Sequence, residues 1–276
     1  MGILITILLL SVIIVIHEYG HYFVMRRNGI QVVEFTIGFG PTLFSRRLKS
    51  GTEFKLKPIL LGGYAMPVKD GPHSMEAANR WVKFKVYMAG MFFNTLAAFV
   101  TITIIGYATG RVPALFLPYL TWAPTWLIPL LAGIIGSFGL WLGTPALIVW
   151  MLCTMGGDTF MQGAAGPVGI VAMGNQIVSH AGAAAAPALS VIILKLATFF
   201  YAINIGVAGC NLLPFFPLDG GHCFALLLDK LGGKKYGPKL VSGFRWVTGL
   251  VFLALVVFIF YSDFAKLLLG RGFPRL

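Results

Sequence analysis

His17, Glu18 and His21 have the types and spacing of a metal site with its own base. On a helix, the i, i+4 spacing turns both imidazoles to one face, where they can ligate a zinc ion, and the adjacent Glu18 can serve as general base. The surroundings give this His-Glu-x-x-His pattern its weight. From Ile3 to Met25 most residues are Ile, Leu, Val, Phe or Tyr, a run long enough to cross a bilayer. An ionisable group at that depth costs about 2.5 kcal/mol or more, which makes such residues functional candidates. The chemistry indicated is metal-assisted hydrolysis within a membrane.

A catalytic zinc site needs a third protein ligand and an open position. The run Asn211-Leu-Leu-Pro214-Phe-Phe-Pro217-Leu-Asp219-Gly220-Gly221-His222 offers one. Pro214 and Pro217 break a helix, which is tolerated at membrane depth where the backbone lines a cavity. Gly220-Gly221 then lets the chain turn so that Asp219 can reach a ligand position. By chemistry alone His222 and Cys223 are rival ligands, and Asp219 could instead cap the helix that follows. Asp158 also lies near an apolar segment, but the charge pattern below puts it on the opposite side of the membrane.

The elements that must hold these residues are membrane helices. The chain is 58% hydrophobic and 11% charged, with a mean hydropathy of +0.85, far from the roughly 25% charged residues of a soluble domain. Apolar runs predict spanning helices over about 3–25, 81–107, 189–213 and 244–261. Arg26 and Arg27 follow the first run and no Lys or Arg precedes it, so it reads as a retained helix rather than a signal peptide. Eleven of the 21 Lys and Arg fall between Arg26 and Lys85 and five between Asp219 and Arg245, while 112–194 has none. By the positive-inside rule the loops after the first and third helices face the cytoplasm. His17, about 21 Å along the helix from Ile3 and about 13 Å from Arg26, then lies toward the cytoplasmic side. The C-terminal Lys266, Arg271 and Arg275 run mildly against this orientation.

The net charge of +12 is explained by lipid headgroups and topology. The charges flank apolar runs, and no basic helix with interleaved aromatics suggests nucleic acid. Three cysteines, Cys153, Cys210 and Cys223, give no disulfide framework and read as small buried hydrophobes. Residues 53–57 (Glu-Phe-Lys-Leu-Lys) alternate polar and apolar before Pro58, an apolar triplet and Gly62-Gly63-Tyr64. That pattern reads either as a short β-hairpin against the membrane or as an irregular amphipathic loop.

HEYGH in the first helix and NLLPFFPLDGGH closing a later one closely resemble the site-2 protease family of intramembrane zinc metalloproteases, of the bacterial type. Phe35–Gly40 and Leu61–Tyr64 are similar to that family's segment after the first helix, and Gly166-Pro167-Val168-Gly169 resembles a turn before its third core helix. The resemblance covers roughly 1–107 and 164–268. It implies that His17, His21 and Asp219 bind Zn2+ and that Glu18 is the base. It also implies that Asn211 and Pro214 shape the site and hold substrate, and that the Gly62-Gly63-Tyr64 element is a membrane-reentrant hairpin pairing with an unwound substrate. Two departures stand out. The apolar stretch 112–163 has no room for the polar PDZ domain many bacterial members carry. The second helix reads Gly90-Met91-Phe92-Phe93-Asn94 where members often have Gly-Pro before the Asn, so Asn94 either faces the substrate groove or makes a buried interhelical hydrogen bond.

The expected fold is therefore an all-α polytopic membrane protein with four core transmembrane helices, six if the insert crosses twice, plus a small membrane-associated β-hairpin. Residues 1–107 form a first catalytic half, 108–163 an apolar insert and 164–276 a second catalytic half. The expected activity is cleavage of single-pass membrane proteins or signal-peptide remnants within a bacterial inner membrane, with the site toward the cytoplasm and no nucleic-acid partner. The rival is a membrane metal-binding or metal-transport protein, which would have no need of Glu18.

Overall fold

The computed structural model describes residues 2–110, 124–146, 167–183 and 189–268. The protein is mostly helical with one small sheet. Helix α1 (Gly2–Arg27) leads into strands β1 (Val32–Phe39), β2 (Phe44–Arg47), β3 (Glu53–Leu56) and β4 (Ile59–Pro67), then α2 (Arg80–Thr109). Helix α3 (Ile128–Ala146) carries a π-helical turn at Ile135–Gly139. It is followed by α4 (Pro167–Ala183), α5 (Leu189–Asn211) and α6 (Asp219–Leu268), which breaks at Gly233. Helices α1, α2, α3, α5 and α6 are long and apolar enough to cross a membrane. The expected insert thus contributes α3; its parts 111–123 and 147–163 lie outside the described residues. Pro167, expected within a turn, is instead the first residue of α4, since a proline's fixed φ and missing N–H suit a first helical position.

The chain forms two compact units: Ile7–Asn94 with Asn211–Phe252, and Met1–Thr6 with Thr95–Cys210 and Leu253–Leu276. In the second, Tyr201 donates to the Gly136 carbonyl in the π-turn (3.1 Å), and the Gly169 N–H in the first turn of α4 donates to the buried Asp263 carboxylate (2.9 Å). The first unit holds the sheet, in the order β2-β3-β1-β4. Met25, Ile30, Val32 and Val86 form a core that joins the end of α1 to β1 and α2.

The hairpin expected over 53–66 is not what forms. β3 and β4 do not pair; they flank β1, which runs parallel to β3 and antiparallel to β4. The true hairpin is β2–β3. Lys57 and Pro58 explain the outcome. A two-residue hairpin turn needs positive φ at its first central residue or at both, which disfavours Lys57 and, for a type I′ turn, excludes Pro58; the chain crosses the end of β1 instead. Gly38 makes the crossing possible: at φ 86° its missing side chain leaves room for the Lys57 carbonyl, which a Cβ would meet at 2.5 Å. Gly62 and Gly63 accordingly lie inside β4 rather than at a turn.

A polar network ties the three strands. Glu34, buried on β1, accepts from Lys55 (2.6 Å), Thr36 (2.6 Å) and Tyr64 (2.5 Å), and Lys57 reaches the Tyr64 hydroxyl (3.4 Å). Burial alone would raise the Glu34 carboxyl, but hydrogen bonds from Lys55, Thr36 and Tyr64 together with the Lys55 charge outweigh it and hold the group down to about 2 from its ordinary 4.5. A carboxyl depressed on folding stabilises the fold above its unfolded value and loses that contribution as pH falls through the folded one. The melting-temperature gap between wild type and Glu34→Gln in detergent should therefore be constant at neutral pH and shrink as pH drops from about 4.5 toward 2. A gap independent of pH would count against this ionic tie.

Candidate metal centre

The heptapeptide Leu212–Leu218 carries the chain from α5 into α6, closed by Phe215 N–H to Leu213 O and Leu218 N–H to Phe215 O, both 2.8 Å. Gly220 and Gly221 pack against that turn so closely that a Cβ on either would lie 2.4 Å from the Leu212 or Phe215 carbonyl oxygen. The tight return delivers Asp219, the first residue of α6, to the face of α1. Asp219 Oδ2 lies 3.1 Å from His17 Nε2 and 3.3 Å from His21 Nε2, and the two Nε2 atoms are 3.2 Å apart. These are the only three His, Cys, Asp or Glu residues grouped this way among the described residues. The rival His222 is turned elsewhere: it stacks on Tyr87 at 4.9 Å and meets Phe216 edge-on at 5.1 Å.

The donor set fits a cation. Asp219 Oδ2 is buried without a hydrogen-bond donor. His21 Nδ1 lies 2.8 Å from the Val86 carbonyl, an acceptor only, so Nδ1 carries a proton and Nε2 is the ring nitrogen left to offer a lone pair to a metal. Three electron-rich atoms within 4.8 Å of one another, in a buried place, call for a positive charge between them. One carboxylate and two imidazoles are a donor set that would suit zinc, with His17, His21 and Asp219 as the residues to hold it.

Helix α2 supports the site along one stripe. Val86, Gly90 and Asn94 are four apart and so share a face. Val86 orients His21. Gly90 admits both rings, since a Cβ there would lie 2.5 Å from His21 Nε2 and 2.6 Å from His17 Nε2. Asn94 is fully buried with its amide 3.4 Å from His17 Nδ1. Of the two readings open for Asn94, groove lining and a buried interhelical contact, the geometry carries the second. With the amide turned so that Oδ1 faces the ring, it accepts the His17 Nδ1 proton and leaves Nε2 for metal. Gly90 and Val86 were not among the expected site residues; the small pair Ala89-Gly90 inside an apolar helix was the available sign. Asn94→Ala is expected to weaken zinc binding about 10- to 100-fold, read by competition with a chromophoric chelator; unchanged affinity would remove Asn94 from the site.

Glu18 faces β4. Its carboxylate accepts a hydrogen bond from the Ala65 backbone N–H, and its Cγ lies 3.5 Å from where a Gly63 Cβ would be. Gly62 backs onto the Phe39 ring. The Tyr64 hydroxyl is committed to Glu34, on the sheet's own network. Asn211 closes α5 half-buried, and Pro214 is exposed in the turn that follows. All these residues lie in the first unit.

The family model of peptidase family M50, the site-2 protease family, matches residues 5–256. The chain belongs to that family. Over 95 residues this M50 chain is 40% identical to a protein of Xylella fastidiosa, over 101 residues 33% identical to one of Vibrio cholerae, and over 76 residues 44% identical to one of Streptococcus pneumoniae. Each relative is named "Putative zinc metalloprotease". The alignments cover 31%, 33% and 28% of this chain, but only 21%, 22% and 18% of those proteins.

Proposed function

We propose that this integral membrane protein is a zinc metalloprotease that cuts membrane-spanning segments. The observation that carries the reading is the convergence of His17, His21 and Asp219 on one point, beside Glu18, on helices apolar enough to cross a bilayer. Zinc, when bound, acts as a Lewis acid that polarises a carbonyl and makes water a nucleophile near neutral pH. The chain's own residues do the rest. His17, His21 and Asp219 hold the ion, and α2 holds the histidines. Glu18 takes the proton from the attacking water and delivers it to the leaving amine. Asn211 and Pro214, at the mouth of the turn, border the scissile bond.

A helical substrate hides its peptide bonds in intrahelical hydrogen bonds and must unwind first. β4 is an edge strand, and edge strands accept extended peptides. Lys57 N–H bonds Ile37 O on the β3 side of β1, so Ile37 and its antiparallel partner Gly63 form a non-hydrogen-bonded pair. The Gly63 N–H and C=O therefore point to the free edge, next to Glu18. An extended substrate strand paired there places its backbone beside the base.

The charge pattern supports an orientation with the N-terminus outside and the site toward the cytoplasm, in a bacterial inner membrane, with α1, α2, α5 and the second half of α6 as the four core crossings. Single-pass regulators and signal-peptide remnants are the substrate class. The test is cleavage of a single-pass reporter by purified protein in vesicles. Chelation should abolish it, added zinc should restore it, and Asp219→Ala should lose both zinc and cleavage. Cleavage indifferent to chelation would sink the reading.

A further inference from the structure

We propose that the lysines around the Gly233 break of α6 form a binding site for anionic phospholipid headgroups. Helix α6 departs from helical geometry at Gly233 (φ 59°, ψ −166°). Lys230 and Lys234 straddle the break, and Lys235 and Lys239 follow it at i, i+4 spacing on one helix face. All four are exposed. After Asp229 no carboxylate occurs in the chain until Asp263, so nothing nearby in sequence balances this charge.

Apolar residues are interleaved with the lysines. Leu231 is 73% exposed, and Tyr236 and Leu240, a second i, i+4 stripe, are 56% and 47% exposed. Lys235 Nζ lies 5.1 Å over the Tyr236 ring. An apolar stripe beside a lysine stripe is the pattern of a segment lying in the headgroup region, with its apolar side toward the acyl chains and its lysines toward phosphate.

The depth has an independent marker. Asp229, at the start of the segment, is held by Arg80 through two hydrogen bonds of 2.9 and 3.3 Å. The next residue, Trp81, is 66% exposed and stacked on Phe84, and exposed Trp at the end of an apolar helix marks the membrane–water boundary. The segment also joins Asp219 to the membrane-crossing part of α6, so lipid charge bears on the strand of structure that presents a metal ligand. Only this last link rests on the proteolytic reading; the headgroup site does not.

Native mass spectrometry of delipidated protein, titrated with phosphatidylglycerol or phosphatidylcholine, tests the site. The variant is Lys234→Gln/Lys235→Gln/Lys239→Gln, with unchanged circular dichroism and zinc content as the folding check. At about fivefold per lysine, its phosphatidylglycerol affinity should fall about 100-fold, with phosphatidylcholine unaffected. Lys49→Gln/Lys69→Gln should keep wild-type affinity. Equal phosphatidylglycerol affinity in the triple variant overturns the proposal. So does displacement of the lipid by soluble glycerol phosphate at equal concentration, which would identify a free phosphate as the ligand. Absent cleavage by the wild type with lipid discrimination as stated would reject the protease reading and leave the headgroup site standing.

Discussion

Glu18→Gln is expected to reduce cleavage of a membrane-embedded reporter by about 10²- to 10⁴-fold, the usual worth of a positioned general base, while the protein keeps its zinc. The substitution preserves shape and hydrogen-bonding length, so the contact with β4 at Ala65 can adapt, but an amide cannot accept the proton. Metal analysis and turnover on the same preparation separate the alternatives. Retained cleavage would show that the base is elsewhere. Loss of zinc would make Glu18 a ligand, as a metal-transport or storage protein would use it.

Gly90→Ala should be as damaging by a different route. Its Cβ would lie 2.5 and 2.6 Å from the two Nε2 atoms, closer than real Cβ contacts come, so either the imidazoles or the helices must move. Zinc affinity should drop by about 100-fold or more, at the upper end of what supporting residues around metals contribute, and cleavage should fall with it. Gly243→Ala on α6 is the matched control: nothing lies within 4 Å of its Cβ, and alanine in an open helical position is favourable by up to about 1 kcal/mol. If Gly90→Ala binds zinc as wild type does, the metal does not sit between His17, His21 and Asp219.

Much of the site was legible because its signals are local. The four-residue spacing of His17 and His21 needs only a helix, and their apolar surroundings mark them as costly. The prolines and glycines, which the tight Leu212–Leu218 turn requires, marked the segment but left His222 and Cys223 as rivals of Asp219 until the family resemblance chose among them. The long apolar helices α1, α2 and α5 and the second half of α6 followed from the length of their apolar runs. The sheet was less legible because strand order is not local. Residues 53–66, broken by Gly62-Gly63, look like one hairpin until β1 is known to lie between β3 and β4, and Glu34 and Thr36 disguised β1 by placing polar groups where only a buried network explains them. Gly90 escaped notice for the same reason: its importance depends on which face of α2 meets α1, and an apolar helix shows little contrast between its faces.

The most direct test of intramembrane proteolysis is the position of the cut. Purified wild-type protein in vesicles should convert a single-pass reporter to a product whose new terminus, mapped by mass spectrometry, falls within the spanning segment on the cytoplasmic half, next to helix-destabilising residues. The same product should be missing with Glu18→Gln. A cut confined to residues outside the membrane, or one that persists in Glu18→Gln, would contradict the account.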